Sequence, residues 1–173
     1  MAEIMNEKIF RLLNVIQQSQ LISNKSRRII LRIMGIQVDS TAEISPMVFF
    51  GSSKITIGRF AFINVGCFLD GAGTIHVRDF ARIGPYVRIL TGTHEYRNSK
   101  IRRRTEDGLI AKPVIVEQGC WVGMGASILP GVTINEGCVI AAQALITRTT
   151  EANGLYGGVP AKRLKSLSTE EDN

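Results

Sequence analysis

Histidine, cysteine and aromatic residues are scarce in this 173-residue chain, which has two histidines, three cysteines, one tryptophan and an aromatic share of 6%. Three cysteines without C-x-x-C spacing exclude a disulfide framework and a cysteine-based zinc site, so reduced, inward-facing thiols are expected. No apolar run approaches the roughly 20 residues that a bilayer span needs. The opening MAEIMNEKIF also lacks the apolar stretch of a signal peptide, which makes the cytoplasm the expected compartment. What is present is an ordinary globular balance, 45% hydrophobic and 21% charged, with 17 glycines that favour many tight turns. The net charge of +6 is concentrated. Residues 1–35 carry six Lys/Arg against two Glu, and residues 95–113 carry six against three acids. Such surfaces suit anionic partners, but charge alone does not choose among them.

Residues 1–35 read as helical, with Ile9, Leu12, Leu13, Ile16, Leu21 and Ile22 on one apolar face and Ile29, Ile30 and Ile33 on a second. Ser23 and Asn24 are placed to divide them. Two readings stand: a cap on the end of the core or against a neighbouring subunit, or a basic helix lying peripherally on the inner face of a membrane.

From Val38 the pattern changes to a period of six. Aliphatic or aromatic residues recur in five triplets: Val38, Ile44, Phe50; Ile57, Ile63, Leu69; Val77, Ile83, Ile89; Val116, Val122, Ile128; Ile134, Ile140, Ile146. Four residues after most of these comes a second, mostly small residue, a slot that holds Cys67, Cys120 and Cys138. Gly58, Asn64, Asp70, Gly84, Gly123 and Asn135 directly follow ladder residues, and Gly119, Gly125, Gly131 and Gly137 recur every six; both sets are expected to supply positive φ at corners. Short strands alternating with turns three times per circuit build a triangular prism of parallel β-structure, each coil stacked about 4.8 Å from the last. Three intervals are longer than six: Phe50 to Ile57 spans seven, Leu69 to Val77 eight, and Ile89 to Val116 twenty-seven. All follow the third member of a triplet, so all should leave one edge of the prism. The longest carries His94 near its start and a basic run, Arg97, Lys100, Arg102, Arg103 and Arg104. A neutral imidazole there, with an unperturbed pKa of about 6.5, suits proton abstraction from a hydroxyl; an ordinary surface histidine is the plain alternative.

The ladder from about residue 36 to 165 resembles the hexapeptide-repeat acyltransferases. PYVRILTGTHEY, WVGMGASILPGVTINEGCVIAAQALITR and GGVPAK together resemble the maltose, galactoside and exopolysaccharide O-acetyltransferases. The resemblance implies an all-β solenoid, a left-handed parallel β-helix of about five coils. An N-terminal helical segment (1–35) would precede the acyltransferase domain (36–165) with its loop 95–113, and a flexible tail (166–173) would follow. It also implies direct transfer from acetyl-CoA, without a metal, to a sugar hydroxyl of a cell-surface polysaccharide or its precursor. By the same resemblance the protein is a homotrimer with sites between subunits.

Carried over residue by residue, His94 is the general base, with Glu95, Asp70 or a backbone carbonyl as candidates to orient it. Asn64 and Asp70 match acceptor-side positions, with corner chemistry as the other reading, and Trp121 matches a tryptophan lining the site, with shielding of a coil edge as the other. Gly123, Gly125, Ala141 and Ala142 match coils along which the pantetheine arm lies. Thr147, Arg148, Lys162 and Lys165 match residues near the nucleotide, although the lysines also read as a solvated basic tail. The chain departs from the maltose and galactoside enzymes at Glu95, where they have Pro, and at Phe62, where Asn is common. Serine or nucleotide-sugar N-acetylation remain alternatives, as does a non-enzymatic module binding an anionic polymer through the basic loop. With little aromatic interleaving beyond Tyr96, nucleic acid is not an expected partner. A zinc hydratase on this prism would need three histidine ligands, and His76 and His94 are the only two.

Overall fold

A computed structural model describes residues 6–95, 97, 100 and 108–168. Helix α1 (Glu7–Gln17) starts at Asn6, whose side chain accepts the Lys8 N–H, and α2 (Asn24–Ile33) starts at Ser23, which accepts the Ser26 N–H. Five triplets of short strands then wind into three flat faces. The first coil is β1 (Gln37–Val38), β2 (Glu43–Ile44) and β3 (Phe49–Phe50), and the second is β4 (Ile55–Ile57), β5 (Phe62–Ile63) and β6 (Phe68–Leu69). The third is β7 (Ile75–Val77), β8 (Arg82–Ile83) and β9 (Arg88–Ile89), from which the hairpin β10 (Gly92–His94) and β11 (Leu109–Ala111) leaves the prism. The fourth is β12 (Val114–Val116), β13 (Trp121–Val122) and β14 (Ser127–Ile128), and the fifth is β15 (Thr133–Ile134), β16 (Val139–Ile140) and β17 (Leu145–Ile146). Strand β18 (Gly154–Gly158) begins a sixth turn on the second face, and β19 (Ala161–Ser166) folds back antiparallel to it.

Every coil pairs with the next in parallel, in register, so that the second face presents an inward row of Ile44, Ile63, Ile83, Val122 and Ile140. Its outward row is Glu43, Phe62, Arg82, Trp121, Val139 and Leu155. The ladder residues and the small slots behind them are buried, including all three cysteines, which are unbridged. Burial pushes the Cys67 thiol up to about 11 and the Cys120 thiol up to about 12, so neither is a ready nucleophile.

The positive-φ corners meet half of the expectation: Gly119, Gly125, Gly131 and Gly137 all adopt it, and the residues directly after the ladder positions do not. Gly58, Asn64, Asp70, Gly84, Gly123 and Asn135 do not adopt positive φ; after five of them, all but Asp70, it falls two residues later, at Phe60, Gly66, Tyr86, Gly125 and Gly137. Glycine at 84 and 123 has another cause. A Cβ at Gly84 would lie 2.7 Å from the Val122 carbonyl oxygen, and one at Gly123 2.6 Å from the Ala142 nitrogen, so stacked coils leave no room for a side chain.

The helices cap the end of the core, one of the two readings, but only Leu13 and Ile30 of the expected apolar faces pack against it. The helices cover the end of the first coil with polar groups, while Ile9, Leu12, Ile16, Leu21, Ile29 and Ile33 are exposed. The edge carbonyls of the first coil point at the helices and need donors. Asn14 donates to the Phe50 carbonyl at 2.8 Å, Gln17 to Val48 at 2.7 Å, Arg28 to Ala42 at 2.9 Å and Arg32 to Val38 at 2.9 Å. Buried Arg27 donates to the carbonyls of Ile44, Gln17, Ser19 and Ile22, and burial lowers its pKa from the ordinary arginine value. An open sheet edge therefore shapes the buried helix face, which adds Asn14, Gln17 and Arg27 as donors beside buried Leu31 and the partly buried Phe10, Leu13 and Ile30. No helix among the described residues is long and apolar enough to cross a membrane.

Candidate active site

The sequence-selected residues divide between two edges of the prism. Strand β9 delivers the chain to the corner between the third and first faces, where β10 turns outward and ends at exposed His94. Asp70, at the same corner one coil earlier, ties down this departure. Its Oδ2 accepts from Thr91 N (2.9 Å), Thr91 Oγ1 (3.0 Å) and Gly92 N (2.8 Å), and its Oδ1 accepts from Gly71 N (2.7 Å). Burial pushes the Asp70 carboxyl upward, but these four donors together outweigh it and hold the pKa below the ordinary aspartate value. Glu95 accepts the Arg97 N–H. Neither carboxylate touches the imidazole, which makes no hydrogen bond among the described residues. Tyr96, Arg102, Arg103 and Arg104 lie outside those residues.

On the second face, Asn64, Trp121, Gly123, Ala141 and Ala142 converge on one cleft of about 650 Å3, within the usual range for small-molecule sites. Phe62, Arg82, Pro85 and Met124 join them there. Asn64 turns its Oδ1 to the Val65 N–H, and Trp121 is 58% exposed, so its ring is available to a ligand. Close stacking at Gly123 brings the backbone of the fourth and fifth coils to the surface of this cleft, where an extended, thin ligand can lie along it.

Nearer the C-terminal end, Thr147, Arg148 and Lys162 line a second, smaller cavity of about 240 Å3 together with Tyr156 and Arg163. Arg163 is paired with Glu151, whereas Arg148 and Lys162 add positive charge that suits phosphate groups. Gly125 lies outside both cavities, as a positive-φ corner (φ 68°), and Lys165 pairs in register with Leu155 on the β18–β19 ladder, also outside. Sequence reasoning passed over Arg82, Met124, Tyr156 and Arg163. Register would have found Arg82, because it stands directly before a ladder residue, as Phe62 and Trp121 do, and so shares their outward row.

Asn64 and Asp70 thus separate: Asn64 belongs to the cleft and Asp70 to the root of the His94 hairpin. His76 stands mid-strand on the first face, with its Nδ1 buried and unpartnered. Among the described residues no group of three or more His, Cys, Asp or Glu is assembled to hold a metal.

Comparison with known proteins agrees with this architecture. Residues 113–148 match the family model described as bacterial transferase hexapeptide (six repeats). A Schizosaccharomyces pombe protein named as an acetyltransferase is 39% identical over 137 residues, covering 76% of this chain; the chain spans only 62% of that relative's length. A Saccharomyces cerevisiae protein, also named as an acetyltransferase, is 31% identical over 151 residues, covering 87% of this chain and 74% of its own. A hexapeptide-repeat acetyltransferase of Vibrio cholerae, solved with acetyl coenzyme A, superposes with a TM-score of 0.82 at 28% identity, over 93% of this chain and 86% of the other. The prism is the left-handed parallel β-helix of those enzymes. With its hexad ladder, its cleft of small residues and its basic C-terminal cavity, the chain belongs to the hexapeptide-repeat acetyltransferases.

Proposed function

We propose that the protein transfers the acetyl group of acetyl-CoA to a sugar hydroxyl, in a polysaccharide or its precursor, at clefts shared between subunits of a homotrimer. The observation that carries this reading is the separation of parts. His94 projects from the corner between the third and first faces, while the cleft with Asn64, Trp121 and Gly123 opens on the second. A single protomer does not bring them to one substrate; prisms packed side by side allow one subunit's hairpin to reach its neighbour's cleft. The sugar assignment is supported by the resemblance to the maltose and galactoside enzymes and by the half-buried ring of Phe62 and the exposed ring of Trp121, both lining the cleft, which suit packing against a pyranose face.

In this reading the cleft holds the pantetheine arm against Gly123, Ala141 and Ala142, and Arg148 and Lys162 neutralise the nucleotide phosphates. The His94 imidazole takes the proton of the acceptor hydroxyl as its oxygen attacks the thioester carbonyl. Backbone N–H donors of the cleft stabilise the tetrahedral oxyanion. Its collapse breaks the C–S bond, and the imidazolium returns the proton to the departing thiolate, giving an O-acetyl sugar and free CoA. The buried thiols need no part in the chemistry. Thiol release from acetyl-CoA with a panel of sugars and glycans, with mass detection of the product, tests the reading. Failure of all acceptors to yield an acetylated product would overturn it.

A further inference from the structure

We infer that Arg82 forms an anion subsite in the cleft, so that the preferred acceptor is a sugar bearing a carboxylate or a phosphate ester next to the hydroxyl-bearing ring. Arg82 is the one charged residue among those lining the cleft, and its side chain makes no hydrogen bond or ion pair among the described residues. Several other arginines on this molecule are neutralised by an acid. Arg59 pairs with Asp79, Arg78 with Glu117 and Arg163 with Glu151, whereas no acid lines the cleft around Arg82.

Its position gives the unpaired charge a direction. On the outward row of the second face, Arg82 sits one coil from Phe62 on one side and one coil from Trp121 on the other, about 4.8 Å away each way. Asn64 stands two residues beyond Phe62, at the same end of the cleft. A pyranose packed on the flanking rings would therefore place a ring substituent over the guanidinium, whose planar fork matches a carboxylate or phosphate in two parallel hydrogen bonds. The CoA phosphates have their own cations, Arg148 and Lys162, in the separate cavity beyond the fifth coil. This leaves the acceptor as the group that Arg82 meets.

The assignment of the ligand as an acceptor rests on the acetyl-transfer reading, but binding can be followed independently, because Trp121 is the sole tryptophan and lies in the cleft. Quenching or enhancement of its fluorescence by glucose, glucuronate and glucose 1-phosphate reports occupancy, and thiol release with acetyl-CoA reports turnover of the same three sugars. At least one anionic sugar is expected to exceed glucose by about tenfold or more in affinity and in kcat/KM, which distinguishes carboxylate from phosphate. Arg82→Gln should collapse that ratio toward one and Arg82→Lys restore part of it, while Arg78→Gln, with the same change in net charge, should preserve it. Equal handling of neutral and anionic sugars, a preference that survives in Arg82→Gln, or a main effect on the KM for acetyl-CoA would each overturn the subsite. If anionic sugars bind in an Arg82-dependent way but none is acetylated, the subsite stands and the acetyl-transfer reading falls. Turnover of neutral sugars alone would give the reverse.

Discussion

The Asp70 carboxylate accepts the Gly92 N–H at 2.8 Å, two residues before His94, and so fixes the point at which the hairpin leaves the prism. The same oxygen also holds Thr91 through both its N–H and its hydroxyl. On the proposed mechanism Asp70 is a positioning residue. Asp70→Ala should lower kcat by about tenfold or more while leaving the KM for acetyl-CoA within about twofold, because a small displacement of a catalytic group is costly to rate. Steady-state kinetics of the variant checks both values; a change confined to the acceptor KM would instead indicate direct contact with the sugar.

A pH dependence follows from the same group. Its folded pKa lies below the unfolded value of about 3.9, so its contribution to stability is complete above that value and is lost as pH falls through the lower folded pKa. The difference in melting temperature between wild type and Asp70→Asn should therefore be largest near neutrality and shrink below about pH 4. Thermal melts at a series of pH values measure it.

The stability of the N-terminal cap should depend on Arg27 more than on its apolar neighbours. Replacing it by Met leaves the carbonyls of Ile44, Gln17, Ser19 and Ile22 without their donor, and about 3 kcal/mol of destabilisation is expected. Leu12→Ser, at a residue 59% exposed, should change the stability of the isolated protomer by no more than about 0.5 kcal/mol. Urea titrations at fixed protein concentration compare the two, since an oligomer's apparent stability depends on concentration.

The hexad ladder was legible because period and burial coincide. Every ladder residue points inward, and even the cysteines could be assigned to packing. What periodicity did not carry was edge chemistry. Nothing in the spacing of Ile9, Leu12 and Ile16 reveals that the underlying surface is a row of carbonyls, which selects Asn14, Gln17 and Arg27 for the buried face instead. The same holds for the corners. Gly123 and Gly125 look alike in sequence, yet one is small because of a neighbouring coil and the other because of its φ of 68°. Within the site, the family resemblance pointed to Asn64 and Trp121, and both line the cleft. Arg82 belongs to no matched motif, and only cross-coil register places it between them.

The glycine distinction is itself testable. At Gly119, φ is 67° and an added Cβ meets nothing within 4 Å, so Gly119→Ala should cost only the backbone term, about 1 kcal/mol. Gly123→Ala places a methyl against the Ala142 nitrogen and the Ile140 carbonyl, forcing the fourth and fifth coils apart beneath the cleft. A larger loss of stability is expected, together with a rise in the KM for acetyl-CoA that Gly119→Ala does not share. Denaturant titration and kinetics on the two variants separate the causes.

A site divided between subunits predicts complementation. On the proposed mechanism His94→Ala removes the base but keeps the cleft, and Asn64→Ala/Trp121→Ala damages the cleft but keeps the base; each alone should lose at least ~10²-fold in kcat. In a trimer assembled at random from equal amounts of the two, a given cleft is intact when its own subunit carries the first change and the subunit supplying the hairpin carries the second. Each condition is met half the time, so about one quarter of clefts should recover. Co-refolding the two variants and measuring thiol release should therefore restore roughly a quarter of wild-type activity per subunit. If base and cleft were supplied by the same chain, mixing would restore none, and the hairpin of each protomer would have to reach the second face of its own prism.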